Sequence, residues 1–172
     1  MTSSPRLRRP GSARTRGVVA CAAVLLAAGC SSGPAEIDAP RLSAADAQAC
    51  KDFVADLPST VAGEKAHEIT GDTAYGAAWG DPAIVLTCGV DEPTDFTETS
   101  TCVQADGVGW FVPDAVLLSD DDSLDVTMTA VGYRPRVQVF LPGDYRPEGF
   151  AAAAAEIGDV VGRDLEKVQS CK

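Results

Sequence analysis

The spacing of apolar residues predicts a helix at the beginning of the folded part of the chain. Ser43 has the position of an N-cap, Asp46 follows three residues later, and Pro58 stops the helix. Between these positions the apolar residues follow i, i+3, i+4, i+7 spacing, which is typical of one buried helix face: Cys50, Phe53, Val54 and Leu57.

A second apolar stripe predicts a helix at the C-terminal end of the chain. Pro147 suits the first helical position, where its missing N–H leaves no hydrogen bond unmade. The apolar residues that follow keep helical spacing and continue as far as Cys171: Phe150, Ala154, Ile157, Val161, Leu165 and Val168. Cys50 and Cys171 are therefore both expected on the buried faces of terminal helices.

Between the two helices the pattern predicts about five short strands. One segment is almost wholly apolar, as a central strand would be, and others alternate between apolar and polar residues. The predicted strands are residues 73–79, 84–90, 108–112, 124–130 and 136–141. The element order predicts an α+β fold, a two-layer sandwich in which the N- and C-terminal helices pack on one face of a mostly antiparallel sheet.

The first 29 residues have the pattern of a lipoprotein signal peptide. Five arginines precede an apolar stretch of 11 residues, 18–28, which is too short to cross a bilayer because a spanning helix needs roughly 20 residues. Gly29 precedes Cys30, as in a bacterial lipobox, although Ala27 stands where leucine is usual. Residues 1–29 are therefore predicted to be removed. Acylated Cys30 is predicted to anchor the protein to the outer face of the cell membrane.

The remainder of the chain divides into a tether and one domain. Residues 30–42 contain Cys30 and a short segment with glycine and proline, and residues 43–172 form a single globular envelope domain. After residue 29, nine basic residues face 25 acidic ones, which gives a formal net charge of −16. A body this acidic excludes sequence-independent nucleic-acid binding, because neutralising phosphates needs a basic surface.

Four cysteines remain after the signal segment and Cys30: Cys50, Cys88, Cys102 and Cys171. An even number in an exported domain predicts two disulfides, with three connectivities to choose from. The two terminal helices favour Cys50–Cys171, which leaves Cys88–Cys102 to close a local loop. The chain has no C-x-x-C pair, which argues against zinc and against a thioredoxin-like redox site.

The run W-G-D-P-A-I-V-L-T-C-G-V at residues 79–90 resembles the central signature of the actinobacterial lipoprotein family called domain of unknown function 3515. Further features match that family: Cys50, the Leu57-Pro58 step, the segment 107–110 and Cys171. The resemblance covers most of residues 37–172. It implies an exported, lipid-anchored envelope protein, and it implies no activity.

Few residues offer catalytic chemistry. His67 is the single histidine, and it lies in a polar stretch that favours the surface. Two carboxylates across a cleft would suit hydrolysis of a cell-wall polymer. Four aspartates lie near predicted strand ends or turns: Asp81, Asp106, Asp114 and Asp144. Because aspartate is also an ordinary turn residue, we assign no catalytic residue.

The two remaining candidates are an acidic run and a tryptophan. Residues 119–125 lack the glycine and glutamate of an EF-hand loop, so we interpret them as a solvated loop and expect no metal or other cofactor. Trp110 alternates with apolar neighbours as a core residue does, whereas Trp79 ends a predicted strand and is the candidate for contact with a partner.

These patterns favour a non-catalytic binding or accessory module at the membrane, with another envelope protein or a wall component as its partner. The alternatives are a cell-wall polymer hydrolase that uses an acidic pair and a calcium-dependent surface protein. A cleft with two close carboxylates would favour the hydrolase, and an aromatic or apolar patch on the uncovered face of the sheet would favour the binding module.

Overall fold

A computed structural model describes Met1 and residues 33–171 of the chain. The predictions made for the signal segment and for acylation of Cys30 lie outside the described residues. Residues 33–171 belong to one compact unit.

The described chain contains three α-helices: α1 (Ala44–Ala55), α2 (Asp114–Leu117) and α3 (Glu148–Asp164). Short 3-10 turns lie at Thr73–Tyr75 and Gly143–Tyr145. The strands are β1 (Ala35–Ile37), β2 (Thr60–Val61), β3 (Glu64–Lys65), β4 (Ile69–Gly71), β5 (Gly76–Trp79), β6 (Ile84–Cys88), β7 (Cys102–Ala105), β8 (Val108–Phe111), β9 (Val126–Thr129), β10 (Tyr133–Arg134), β11 (Val137–Leu141) and β12 (Glu166–Lys167).

Six of these strands form an antiparallel sheet in the order β5-β6-β11-β9-β8-β7. The prediction of mixed helices and an antiparallel sheet is confirmed, but the number of strands is six and not five. The missed strand is β7, a four-residue edge strand with one buried residue. Its sequence, C-V-Q-A, has no sustained alternation, because an edge strand presents little of itself to the core.

Helix α1 begins as its sequence predicts. The hydroxyl oxygen of Ser43 accepts a hydrogen bond from the backbone N–H of Asp46 at 3.1 Å and donates one to the Asp46 carboxylate at 2.8 Å. This bonding satisfies one of the N–H groups that a helix start leaves unpaired. Cys50 and Phe53 of the predicted stripe are fully buried.

Alternation along the central strands produces one fully apolar face. Leu86 of β6 lies opposite Val139 of β11, which lies opposite Met128 of β9, and all three are completely buried. On β8 the indole N–H of Trp110 donates to the carbonyl of Ala154 in α3 at 3.1 Å. The core therefore lies between this face and the helix side chains.

Helix α3 is shorter than the apolar stripe predicts. It ends at Asp164, Leu165 is already extended, and β12 pairs with β10. The N–H groups of Val168 and Gln169 then donate to the carbonyl of Gly132. The tail gains backbone hydrogen bonds on the sheet, so the side chain of Val168 is 47% exposed instead of facing the core.

The disulfides join Cys50 to Cys88 and Cys102 to Cys171. All four cysteines are bonded as predicted, but the pairing Cys50–Cys171 with Cys88–Cys102 is wrong. Cys171 lies beyond the end of α3, on a tail that crosses β8 to reach the edge strand β7. A Cβ added to Gly109 of β8 would lie 2.9 Å from the carbonyl oxygen of Cys171, so glycine is needed where the tail crosses.

Part of the segment predicted to be a tether is folded. β1 pairs in parallel with β4, and the side chain of Ile37 is buried against Gly76 at the outer strand of the sheet. The sequence feature that accounts for this packing of β1 on the sheet is the apolar residue Ile37, which precedes a stretch that contains proline.

Candidate functional site

Trp79, the predicted contact residue for a partner, is buried. Its side chain is 1% exposed, and its indole N–H donates to the backbone carbonyl of Pro58 at 3.0 Å. The prediction of an exposed aromatic at this position is therefore wrong. The reason is that the segment after α1, including the β2–β3 hairpin, folds back over the end of β5 and encloses the ring. Trp110 is fully buried, as the alternation around it predicts.

The conspicuous residues of the signature 79–90 are bound to residues from other parts of the fold. Trp79 is bonded to Pro58, and Cys88 is joined to Cys50. The carbonyl of Pro82 accepts a hydrogen bond from the hydroxyl of Tyr145 at 2.6 Å. These residues hold the helix, the hairpin and the sheet together, so they explain the fold and do not form a reactive centre.

His67 does not form a catalytic group with any residue that the structure describes. Its Nε2 lies 3.3 Å from the carbonyl oxygen of Gly33, and its backbone N–H donates to Ala78. Both contacts fix the N-terminal segment and β5, which is a structural role.

The four candidate aspartates are distributed over four different turns. Asp81 lies between β5 and β6, Asp106 between β7 and β8, Asp114 begins α2, and Asp144 lies in a 3-10 turn. Of the four, only Asp114 lines one of the grooves described below. No two of these four aspartates line the same part of that groove, so this set provides no argument for a hydrolase with two opposed carboxylates.

Asp81 and Asp144 share an electrostatic neighbour. Burial, followed by the negative charge of Glu64, raises the pKa of Tyr145, and the charges of Asp81 and Asp144 act in the same direction. The phenol therefore stays protonated and donates its hydrogen bond to Pro82 across the neutral pH range.

The acidic run 119–125 is held by its own turn and by one arginine. The carboxylate of Asp121 accepts hydrogen bonds from the hydroxyl and the N–H of Ser123, which lower the pKa of Asp121. Arg146 donates to the carbonyls of Asp121 and Leu124 and lies 3.7 Å from the carboxylate of Asp122. In the described part of the chain, no three Asp, Glu, His or Cys residues are grouped as metal ligands.

The second face of the sheet, which we call the open face, carries an exposed aromatic at its centre. Phe140 of β11 is 38% exposed and lies between Val85 of β6 and Thr127 of β9 in the strand register. The neighbouring row on the same face pairs Gln138 with Thr129. Aromatic residues are enriched at protein interfaces relative to the rest of the surface, so an exposed phenylalanine at this position favours contact with a partner.

A groove on the open face reaches Thr127, the cross-strand neighbour of Phe140. Its first part, about 240 Å³, is lined by Thr127, Thr129 and Gln138 and closed by Phe111 and the segment 93–95. A second part, about 220 Å³, shares Asp95, Phe111 and Pro113 with the first and extends to Asp114. We call the two parts together the open-face groove.

Two carboxylates give this groove a negative rim. Asp95 lines both parts and Asp114 the second, and neither has a cation within 4.0 Å among residues 33–171. Phe111 and Pro113 line both parts and contribute apolar surface, and the Phe111 ring packs edge-on against Phe96 with ring centroids 5.3 Å apart. The groove therefore suits a neutral or apolar group flanked by a positive charge.

Sequence reasoning missed the open-face groove for an identifiable reason. The alternation of 136–141 assigns Val137, Val139 and Leu141 to one face, so Phe140 falls on the other. An aromatic at an outward position of a central strand is the available signal. What the sequence does not show is that β1 and the C-terminal tail cover the ends of this face and leave its centre accessible.

Within residues 33–171 no helix has the length and apolar character needed to cross a membrane. A family model described as a protein of unknown function (DUF3515) matches residues 14–170. No curated protein and no solved structure matches the chain.

Proposed function

The chain belongs to the DUF3515 family of proteins of unknown function. From its N-terminal sequence and the open-face groove we propose that it is a lipid-anchored envelope protein that acts as a non-catalytic binding module. Its partner is another component of the envelope, bound at the open-face groove. The observation that carries the binding role is Phe140, an exposed aromatic at the centre of the sheet beside a groove.

The lipid anchor is supported by the sequence of the N-terminus. A basic region, an 11-residue apolar stretch and Gly29-Cys30 occur in the order of a lipoprotein signal, and the family match begins within this segment at residue 14. Only residues 31–34 separate Cys30 from β1, and four residues extend to at most about 14 Å. Anchored this way, the domain works close to the membrane surface.

A binding role agrees better than a catalytic one with the distribution of the polar residues. In the proposed two-layer arrangement the helices cover one face of the sheet, and its open face is left for a partner. The negative rim of Asp95 and Asp114 and the apolar surface of Phe111 and Pro113 favour a protein segment in which an apolar side chain is followed by lysine or arginine.

The anchor is tested by Cys30→Ser. Without the thiol no acyl chain is attached, so the protein is expected to move from the membrane fraction to the medium or to remain uncleaved. Cell fractionation and mass spectrometry of the mature N-terminus measure both outcomes. Cys21→Ser, in the segment predicted to be removed, is the matched control and should leave fractionation unchanged. A mature wild-type protein without an acylated N-terminal cysteine would refute the anchor.

The groove is tested by photo-crosslinking in intact cells. A photoreactive residue at position 138 lies beside the groove, and one at position 48, on the exposed side of α1, is the matched glutamine control. We expect a defined adduct from position 138 and none from position 48. Phe140→Asp should reduce that adduct about tenfold or more, because a charge at a binding-site aromatic removes its contact area.

Leu118→Asp provides the control for this substitution. Leu118 is 78% exposed and lines neither part of the groove, so the same change of chemistry should leave the adduct intact. Equal adducts from positions 138 and 48, or equal loss with both aspartate variants, would argue against the groove as the binding site.

A further inference from the structure

Three of the nine basic residues that follow the signal segment line a single pocket of about 210 Å³. Arg41 precedes α1, Arg134 ends β10, and Arg136 lies in the connection from β10 to β11. Residues 89–91, which follow β6, complete the wall. We call this site the arginine pocket. It concentrates positive charge on a body whose formal net charge is −16.

Arg134 has a charge that no carboxylate balances at close range. Its Nη1 donates to the backbone carbonyl of Tyr133 at 2.9 Å and to that of Val131 at 3.4 Å. Among residues 33–171 no carboxylate lies within 4.0 Å of it. Burial, followed by the positive charge of Arg136, lowers the pKa of Arg134. The two guanidinium groups thus repel each other across a partly desolvated space.

Arg136 has a hydrogen-bond donor without an acceptor. Its side chain is 13% exposed and its Nη2 pairs with the carboxylate of Glu92. Its Nε is buried and has no hydrogen-bond partner in the described structure. Buried polar groups are nearly always hydrogen-bonded in native proteins, to protein or to water, so the unsatisfied N–H beside this pocket leaves a place for an acceptor that is a water molecule or an anion.

The wall of the pocket is rigidly built. Gly89 adopts a φ of +88°, which few residues other than glycine tolerate, and an added Cβ would collide with Leu42. The N–H of Gly89 donates to the carbonyl of Arg136 at 2.7 Å. This bond joins the end of β6 to the start of β11 and fixes the backbone that carries the arginine.

Three carboxylates near the pocket limit what it can bind. Asp46 and Asp91 line it, and Glu92 pairs with Arg136. Asp46 is already engaged by the Ser43 hydroxyl. A bulky polyanion would meet these groups, whereas a compact anion with several oxygens can accept from more than one guanidinium at once. Phosphate has this geometry, and arginine recognises it through paired N–H donors.

We propose that the arginine pocket binds a phosphate group, carried either by free phosphate or by the headgroup of an anionic phospholipid. The site is separate from the open-face groove and does not depend on the partner proposed there. The phospholipid source follows from the proposed anchor, since Arg41 lies 11 residues after Cys30 in the chain.

The test uses the full-length protein with Cys30→Ser, which removes the acylation site. Arginine Nε–H signals are followed by two-dimensional NMR, with the Arg136 signal assigned from its loss in Arg136→Lys. One titration uses inorganic phosphate against potassium chloride at matched ionic strength. A second uses a short-chain phosphatidylglycerol below its micelle concentration. Each NMR signal reports on a single arginine. Phosphate or phosphatidylglycerol that binds to the arginines of the N-terminal segment therefore does not contribute to the Arg136 titration.

We expect saturable shifts of the Arg136 Nε–H signal. Arg134→Gln should weaken the affinity about tenfold or more, as expected for the loss of a charge-assisted hydrogen bond. Arg41→Gln, at an exposed position, should weaken it without affecting the fold. Arg163→Gln removes one charge from the exposed surface of α3, where Arg163 pairs with Asp159 and Asp164, and should leave the affinity unchanged.

The two titrations distinguish the sources of phosphate. Tighter binding of phosphatidylglycerol supports a lipid headgroup, and equal or weaker binding supports free phosphate. The proposal is overturned if neither ligand shifts the Arg136 signal, or if Arg134→Gln and Arg163→Gln change the affinity equally. Unchanged membrane association in the Cys30→Ser experiment would refute the anchor and leave the phosphate site standing.

Discussion

Replacing Cys50 and Cys88 together by alanine is expected to lower the free energy of unfolding by about 4 to 5 kcal/mol. The bond joins residues 38 apart, and closing a loop of that length restricts the unfolded chain by about 4 kcal/mol. Both cysteines are fully buried, so removing their sulfur atoms also leaves a small cavity in the core. Urea unfolding of the mature protein, extrapolated to water, measures the loss.

Removing the second disulfide is expected to expose a different set of backbone amides to hydrogen exchange. Cys102 and Cys171 are 69 residues apart, which gives a similar entropic contribution, but Cys171 lies on the surface tail. Hydrogen exchange should therefore show that the Cys102→Ala, Cys171→Ala double variant loses protection first at Val168 and Gln169, whose N–H groups bond Gly132. The amides of α1 should keep theirs.

Peptide mapping without reductant checks the connectivity directly. Linked peptides that contain Cys50 with Cys88, and Cys102 with Cys171, are expected. A peptide that joins Cys50 to Cys171 would contradict the structure and would restore the pairing that helix periodicity predicts.

Trp79→Ala is expected to destabilise the protein by about 3 to 5 kcal/mol, the range found when large aromatic side chains are removed from cores. The ring is 1% exposed, and its N–H bonds the carbonyl of Pro58, which would lose its partner. Trp79→Phe keeps much of the buried area and loses the hydrogen bond, so it should cost less. Thermal melts and urea titrations measure both variants.

Leu118→Ala is the control for Trp79→Ala. Leu118 is exposed, so its truncation should change stability by no more than about 0.5 kcal/mol. If Trp79→Ala left stability unchanged and abolished the crosslink at position 138, Trp79 would be a contact residue and its burial would be refuted.

The helix start, the strand faces and the hairpin can be predicted from the sequence, because the interactions that produce them join residues close together in the chain. The N-cap of α1 needs only Ser43 and the N–H of Asp46, three residues away. The inward alternation of β11 needs only the pleat of one strand, which makes Val137, Val139 and Leu141 buried. The hairpin of β5 and β6 follows from the Gly80-Asp81-Pro82 turn between two apolar segments.

The candidate site was less accessible to sequence reasoning, because each of its parts depends on what packs beside it. Phe140 can be assigned to the outward side of its strand from alternation alone. Its side chain is exposed because β1 and the C-terminal tail pack over the ends of the open face and leave the centre uncovered. The arginine pocket joins positions 41, 134 and 136, which no local pattern connects.

The C-terminal segment shows where helical periodicity stops being sufficient. Leu165 and Val168 continue the apolar stripe of α3, yet the helix ends at Asp164 because the tail pairs with β10 and bonds Gly132. The hydrogen bonds of the tail can form only after distant segments have packed together. The apolar stripe alone therefore predicts a longer helix and the wrong disulfide partner for Cys171. Tertiary hydrogen bonds outweighed a local propensity of a few tenths of a kcal/mol per residue.

By itself, the sequence determined the helix start at Ser43, the inward faces of the central strands, the engagement of Cys50, Cys88, Cys102 and Cys171 in disulfides, and the acidic charge of the body. Each of these depends on residue type, spacing or composition. The tertiary structure decided which cysteines meet, that Trp79 is enclosed, where the open face is accessible, and that three arginines surround one pocket. These depend on distances between segments far apart in the chain, and only the packing of strands and helices sets those distances.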